Sequence, residues 1–126
     1  MQKLTIKMEG YLETIYALCE QNGRARVTDI AAKMGVTKAT VNRAVSVLHE
    51  MRLVEGARYR EVCITEEGLR LARWICSKHE AIELFLIRVL HVDQAEAEKD
   101  ACAIEHIMSD ASLLAIRRYL REHDII

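Results

Sequence analysis

Three features of the 126-residue sequence predict a mainly α-helical chain with a winged helix-turn-helix first half and an all-helical second half. Proline is absent and glycine occurs five times, which favours long helices with short connections. The stretch VTDIAAKMGVTKATVNRAVSVL sets apolar residues at helical spacing on both sides of Gly35. Directly after it, LVEGARYREVCIT changes to two short apolar runs around a polar turn, which is the pattern of a hairpin.

Leu4, Met8, Tyr11, Leu12, Ile15, Tyr16 and Cys19 recur at three- and four-residue steps, predicting a first helix over 3–21 that stops near Asn22-Gly23. Thr28 has N-cap chemistry, so the next helix is expected to be the short DIAAKM, closed by Gly35. Thr37 is the expected cap of a third helix from Lys38 to about Met51. The hairpin brings Leu53 and Val54 against Val62, Cys63 and Ile64, with Ala57-Arg58-Tyr59-Arg60 at its tip. From Glu66 a long helix carries Leu69, Leu71, Ala72, Ile75, Ile82, Leu86 and Leu90, with Ser77 as a candidate break. A boundary at His91-Val92-Asp93 precedes a helix from about Asp93 to Met108 and a last one from about Asp110 to Arg121. Domains of 1–72 and 73–126 follow from this order.

Charge is divided between the halves. Residues 24–60 hold eight Lys or Arg against three acids, whereas residues 76–126 hold six against ten. A basic first half points to a polyanionic partner there. No apolar run reaches the ~18–20 residues that cross a bilayer, and MQKLTIKMEGYL lacks a signal-peptide apolar block, so a cytoplasmic location without membrane partners is expected. The four cysteines, Cys19, Cys63, Cys76 and Cys102, have no paired spacing and do not suggest a disulfide framework.

Each position in the helix-turn-helix has a physical role. Ile30, Met34, Val36, Val41 and Val45 supply the apolar contacts between two short helices, Ala31 is small where they cross, and Gly35 takes the left-handed backbone of the turn. Lys38, Ala39, Thr40, Asn42 and Arg43 then face outward from the amino-terminal half of the second helix, the part that reaches base edges in a major groove. Arg26 and Thr37 join them as candidate DNA-facing residues, and Arg58, Tyr59 and Arg60 suit a wing laid along phosphates. The expected partner is double-stranded operator DNA.

The second half concentrates ligand chemistry. In DACAIEHIMSD, Cys102, Glu105 and His106 stand at i, i+3 and i+4, one face of a helix. His79 and Glu83 are also one turn apart, as are Glu9 and Glu13 on the first helix. Imidazole, carboxylate and thiolate together suit a divalent transition metal: iron(II), manganese(II), zinc or cobalt. HEAIE is not the HExxH of metalloproteases, and neither a phosphate-binding glycine loop nor a serine nucleophile motif is present, so an enzyme is not expected. The rivals are a winged-helix regulator that senses a small molecule or oxidant through Cys102 without metal, and a helical-bundle metalloenzyme. Apolar residues in the last two helices, Ile104, Ile107, Met108, Leu113, Leu114 and Ile116, suggest a homodimer face.

The chain resembles the diphtheria-toxin-repressor and manganese-transport-regulator family of metal-activated DNA-binding repressors. The resemblance runs through MEGYLETIYALCE, RVTDIAAKMGVTKATVNRAVSVLHEMRLVE, YREVCITEEGLRLA, KHEAIELFL and DACAIEHIMSD. It implies a helical metal-binding and dimerisation domain after the winged helix, and metal ligands at Glu105 and His106. The residue three before that pair is Cys in the iron-type branch and Glu in the manganese-type branch; here it is Cys102. His79 matches a ligand in both branches, Glu83 a second-site ligand of the iron type, and Glu13 a manganese-type ligand. Two positions depart: Gly10 stands where the family places Met or Asp, and Glu98 where the iron type has His. The sequence ends soon after its sixth helix, like the manganese type. The resemblance thus implies Mn(II) or Fe(II), with Zn(II) as a third candidate, and operator binding by a homodimer with no small-molecule substrate.

Overall fold

The computed structural model describes residues 4–56 and 61–126. The chain divides into two compact units, the first ending at Arg73 and the second beginning at Trp74.

In the first unit, helix α1 (Ile6–Asn22) starts where Thr5 Oγ1 accepts the Met8 N–H at 3.1 Å and stops at Gly23, whose φ of 79° is left-handed. Its buried residues Tyr11, Leu12, Ile15 and Leu18 form one stripe. Against α1 pack α2 (Val27–Met34), α3 (Lys38–Glu50) and the sheet of β1 (Ala25–Arg26), β2 (Val54–Glu55) and β3 (Glu61–Ile64). Ile30, Val41, Leu48, Val54 and Val62 complete this core. The strand order is β1-β3-β2, antiparallel throughout, with Ala25 opposite Val62 and Val54 opposite Ile64.

Strand β1 is a finding beyond the two-stranded hairpin that spacing predicts. It also corrects the start of α2. Because β1 runs straight into the helix, Arg26 is the cap residue, without a side-chain hydrogen bond, and Thr28 lies exposed inside the first turn rather than capping it. Gly35 ends α2 with φ 68°, and Val36 N–H reaches Ala31 O at 3.1 Å, so the turn between the two helices is closed by backbone bonds. The tip residues Ala57, Arg58, Tyr59 and Arg60 lie outside the described residues. At the base of the hairpin, Thr65 N–H bonds Leu53 O at 3.1 Å and Thr65 Oγ1 accepts Gly68 N–H at 3.0 Å. A Cβ at Gly68 would collide with the Leu53 carbonyl, so only glycine fits there.

Helix α4 (Glu66–Leu84) continues through the boundary between the units. It does not break at Ser77: that hydroxyl turns back to Trp74 O at 2.9 Å and accepts Arg117 Nη1 at 3.1 Å, leaving the helical ladder whole. The departure comes later, in a π-helical segment over Phe85–Val89, where Leu90 N–H reaches back five residues to Phe85 O at 3.2 Å. His91, at φ 58°, then turns the chain. Asp93 caps α5 (Gln94–Ile104), accepting Ala95 N–H at 3.2 Å, and Ser109 caps α6 (Asp110–Glu122), accepting Ser112 N–H at 3.2 Å. Helix α5 ends four residues earlier than its apolar spacing predicts. Ile107 N–H bonds Ile104 O at 3.0 Å, a tightened turn that ends the helix before the Ser109 cap.

Ala81, Ile82, Ala101, Leu113 and Leu120 form the core of the second unit, with Trp74, Phe85, Ile104, Met108 and Ile116 packed against it. Of the residues expected on a dimer face, Leu113 is therefore core, whereas Ile107 and Leu114 are 73% and 54% exposed. Among the described residues, no helix is long and apolar enough to cross a membrane.

Candidate metal centre and DNA-reading helix

Helix α3 separates an inner from an outer face. Thr37 Oγ1 caps it by accepting Thr40 N–H at 3.1 Å, while Val41, Ala44 and Leu48 face the core. Lys38, Ala39, Asn42 and Arg43 are exposed and Thr40 is half-buried, as the helix-turn-helix reading expects. Arg43 Nη2 donates to Thr40 Oγ1 at 3.3 Å, and that hydroxyl stands 2.9 Å from Thr37 Oγ1. The guanidinium is thereby held along the first turn of its own helix. Ser46 and Val47 continue the outer face one turn beyond Asn42 and Arg43; they were absent from the sequence expectation, although their i+4 spacing was legible. Asn42, Ser46 and His49 line a groove of about 490 Å³ with Val54, Glu55 and Val62 of the sheet. Arg26 is exposed on β1 opposite Glu61, and its neighbour Arg24 pairs with Glu61 at 3.3 Å.

In the second unit, His79 and Glu83 on α4 meet Cys102 on α5 and the turn that follows it. Glu105 and His106 are in that turn, not on the helix proper, but Glu105 keeps a helical bond to Ala101 O at 3.0 Å and so stays in register with Cys102. Glu105 is the centre of the cluster. Its side chain is only 3% exposed, with Oε2 at 3.2 Å from His79 Nδ1 and Oε1 at 3.2 Å from His106 Nε2. His79 Nε2 stands 3.0 Å from Glu83 Oε2, and Cys102 Sγ lies 3.7 Å from His79 Nδ1.

A carboxylate so deeply placed requires compensating charge. The donors around it, two imidazoles, a second carboxylate and a thiol, are those a divalent transition ion accepts, so the residues fit such an ion. Glu98 is exposed on α5 one turn before Cys102, and no hydrogen bond joins it to the cluster among the described residues. Glu13 lies half-buried on α1 in the first unit. At Gly10, the space where a Cβ would stand is 3.8 Å from Met34 Cε, and Thr14 Oγ1 bonds both Gly10 O and Met34 Sδ at 3.0 Å. That part of α1 is therefore packed against α2.

The other thiols differ from Cys102, which is exposed. Burial pushes the Cys19 thiol up, a hydrogen bond to the Ile64 backbone offsets part of this, and nearby Cys63 and Glu20 add to the rise. Cys19 Sγ contacts Val62 O at 3.8 Å, tying α1 to β3.

Comparison with known proteins agrees with both halves. Residues 3–62 match the family described as iron dependent repressor, N-terminal DNA binding domain, and residues 65–124 match iron dependent repressor, metal binding and dimerisation domain. The transcriptional regulator MntR of Escherichia coli O6:H1 is 36% identical over 116 residues, covering 92% of this chain and 74% of that protein. The HTH-type transcriptional regulator MntR of Bacillus subtilis is 34% identical over 123 residues, covering 95% and 86%. The crystal structure of T. acidophilum IdeR superposes with a TM-score of 0.77 at 24% identity over 98% of this chain, which spans 56% of that longer one, and shows the shared fold. The chain is a member of the iron-dependent repressor family, whose proteins are metal-responsive, DNA-binding transcriptional regulators and not enzymes.

Proposed function

We propose that this chain is a cytoplasmic homodimeric repressor of metal-homeostasis genes. In this reading His79, Cys102, Glu105 and His106 hold a divalent ion, Mn(II) or Fe(II) first and Zn(II) third, and α3 reads operator DNA. The observation that carries the reading is Glu105: a buried carboxylate with an imidazole against each oxygen. A bound ion supplies the positive charge that neutralises this carboxylate. Glu13 enters the ligand set from its spacing with Glu9 on α1 and from the family resemblance, and Glu98 from the resemblance. The manganese repressors among solved relatives, one of them in complex with manganese, support the choice of metal.

The chain's own groups do the rest. Lys38 and Arg43, with Arg26 and the tip residues Arg58, Tyr59 and Arg60, contact phosphates, while Ala39, Thr40 and Asn42 meet base edges beyond the Thr37 cap. A two-fold dimer places two α3 helices in successive major grooves, about 34 Å apart. Exposed Ile107 and Leu114 are the residues we assign to the dimer contact.

The test is operator affinity measured with Mn(II), Fe(II) or Zn(II) and with a chelator, for wild type and His106→Ala. Metal should tighten wild-type binding about 5- to 150-fold, the usual range of allosteric coupling, and leave His106→Ala unresponsive. Equal affinity in all conditions would refute the proposal and favour a metal-independent regulator.

A further inference from the structure

We infer that Glu83 is a positioning residue: it accepts a hydrogen bond from His79 Nε2–H and so aims the Nδ1 lone pair at Glu105 and Cys102. The inference rests on the metal-site reading above, and it gives Glu83 a role different from the second-site ligand that the resemblance implies.

His79 is engaged through both ring nitrogens. Nε2 is 3.0 Å from Glu83 Oε2, while Nδ1 is 3.2 Å from Glu105 Oε2 and 3.7 Å from Cys102 Sγ. A neutral imidazole has one N–H and one lone pair, so only one of these sides offers a ligand atom. Three observations select Nδ1. Its side holds two ligand-type groups, carboxylate and thiol, whereas the Nε2 side holds one. Glu83 lies at i+4 on the same helix as His79, so α4 itself sets their contact and keeps the imidazole oriented whatever α5 does. Exposure separates the two carboxylates. Glu83 is 25% exposed and can accept an N–H while keeping water on its other oxygen, whereas Glu105 is 3% exposed and has an imidazole nitrogen 3.2 Å from each oxygen. A carboxylate behind the non-ligating nitrogen fixes the tautomer and raises the basicity of the other.

The experiment is calorimetric titration of the full chain with Co(II), read together with the thiolate-to-cobalt charge-transfer absorption, for wild type, Glu83→Ala and Glu83→Gln. All three should take up the same number of ions per chain and keep the thiolate band. Glu83→Ala should bind about 10- to 100-fold more weakly. Glu83→Gln, whose amide oxygen still accepts from Nε2–H, should recover most of that loss. Loss of one equivalent of Co(II) in both variants would make Glu83 a ligand and overturn the inference. Wild-type affinity in Glu83→Ala would overturn it equally, by leaving nothing for Glu83 to position. A wild-type chain that takes up no Co(II) would instead remove the metal-site reading, and this inference with it, a result distinct from either of the others.

Discussion

The two units carry their charged groups in opposite ways. In the first, Lys38, Asn42 and Arg43 stand outside an apolar core made by Tyr11, Leu12, Ile15, Ile30, Val41 and Leu48. In the second, the charged Glu105 is itself buried, as are the core residues Ala81, Ile82 and Ala101. The difference separates two kinds of candidate functional residue. Outer residues can be replaced at the expense of binding alone, whereas an inner one links binding to the packing around it.

The strongest challenge to this contrast is Glu105→Leu. Metal affinity should fall at least ~100-fold because the shared carboxylate is gone, and the urea midpoint should fall with it, because removing one partner of a buried polar cluster leaves His79 and His106 without theirs. Calorimetric metal titration alongside urea unfolding checks both halves of the claim. Gly68→Ala tests packing without chemistry. The collision with Leu53 O should lower stability by about 1–3 kcal/mol, read as a lower urea midpoint, with metal stoichiometry unchanged. Asn42→Ala tests the outer face. It should cost about 1–3 kcal/mol of operator affinity and relax preference at one base pair, with the urea midpoint unmoved. Lys38→Ala should weaken binding to all sequences alike and reduce the salt slope by about one. Unequal losses across sequences would reassign Lys38 to base reading.

The smallest effect concerns Cys19. Its thiol is raised in the folded chain, so its contribution to stability is complete at neutral pH and is lost as pH climbs through the thiol range toward the raised value. Urea midpoints at pH 7 and pH 10 should therefore diverge less in Cys19→Ala than in wild type. Exposed Cys102 should also react with a thiol reagent before Cys19 does.

How much of this the sequence disclosed depends on the range of the interaction. Helix-turn-helix spacing, the Thr37 cap and the Gly23 and Gly35 stops are local, and the structure has them. Strand β1 has two residues and exists because β3 pairs with it, so no alternation could announce it. The same pairing moved the cap of α2 from Thr28 to Arg26. Ser77 looked like a break because its hydroxyl competes with the backbone; bonding to Trp74 O and Arg117 satisfied it in place. Phe85 in the π-helical segment and Ile104 at the end of α5 pack against the core of the second unit, contacts that local spacing does not encode. Residue spacing named His79, Glu83, Cys102, Glu105 and His106, but which ring nitrogen faces which partner needed coordinates.

The central claim is that metal occupancy in the second unit and operator binding by the first are linked. Linkage is reciprocal, so the most direct measurement is the metal-binding isotherm of the wild-type chain with and without operator duplex. Operator should tighten metal binding by the same factor that metal tightens operator binding. Superimposable isotherms, with the duplex bound in both states, would contradict it.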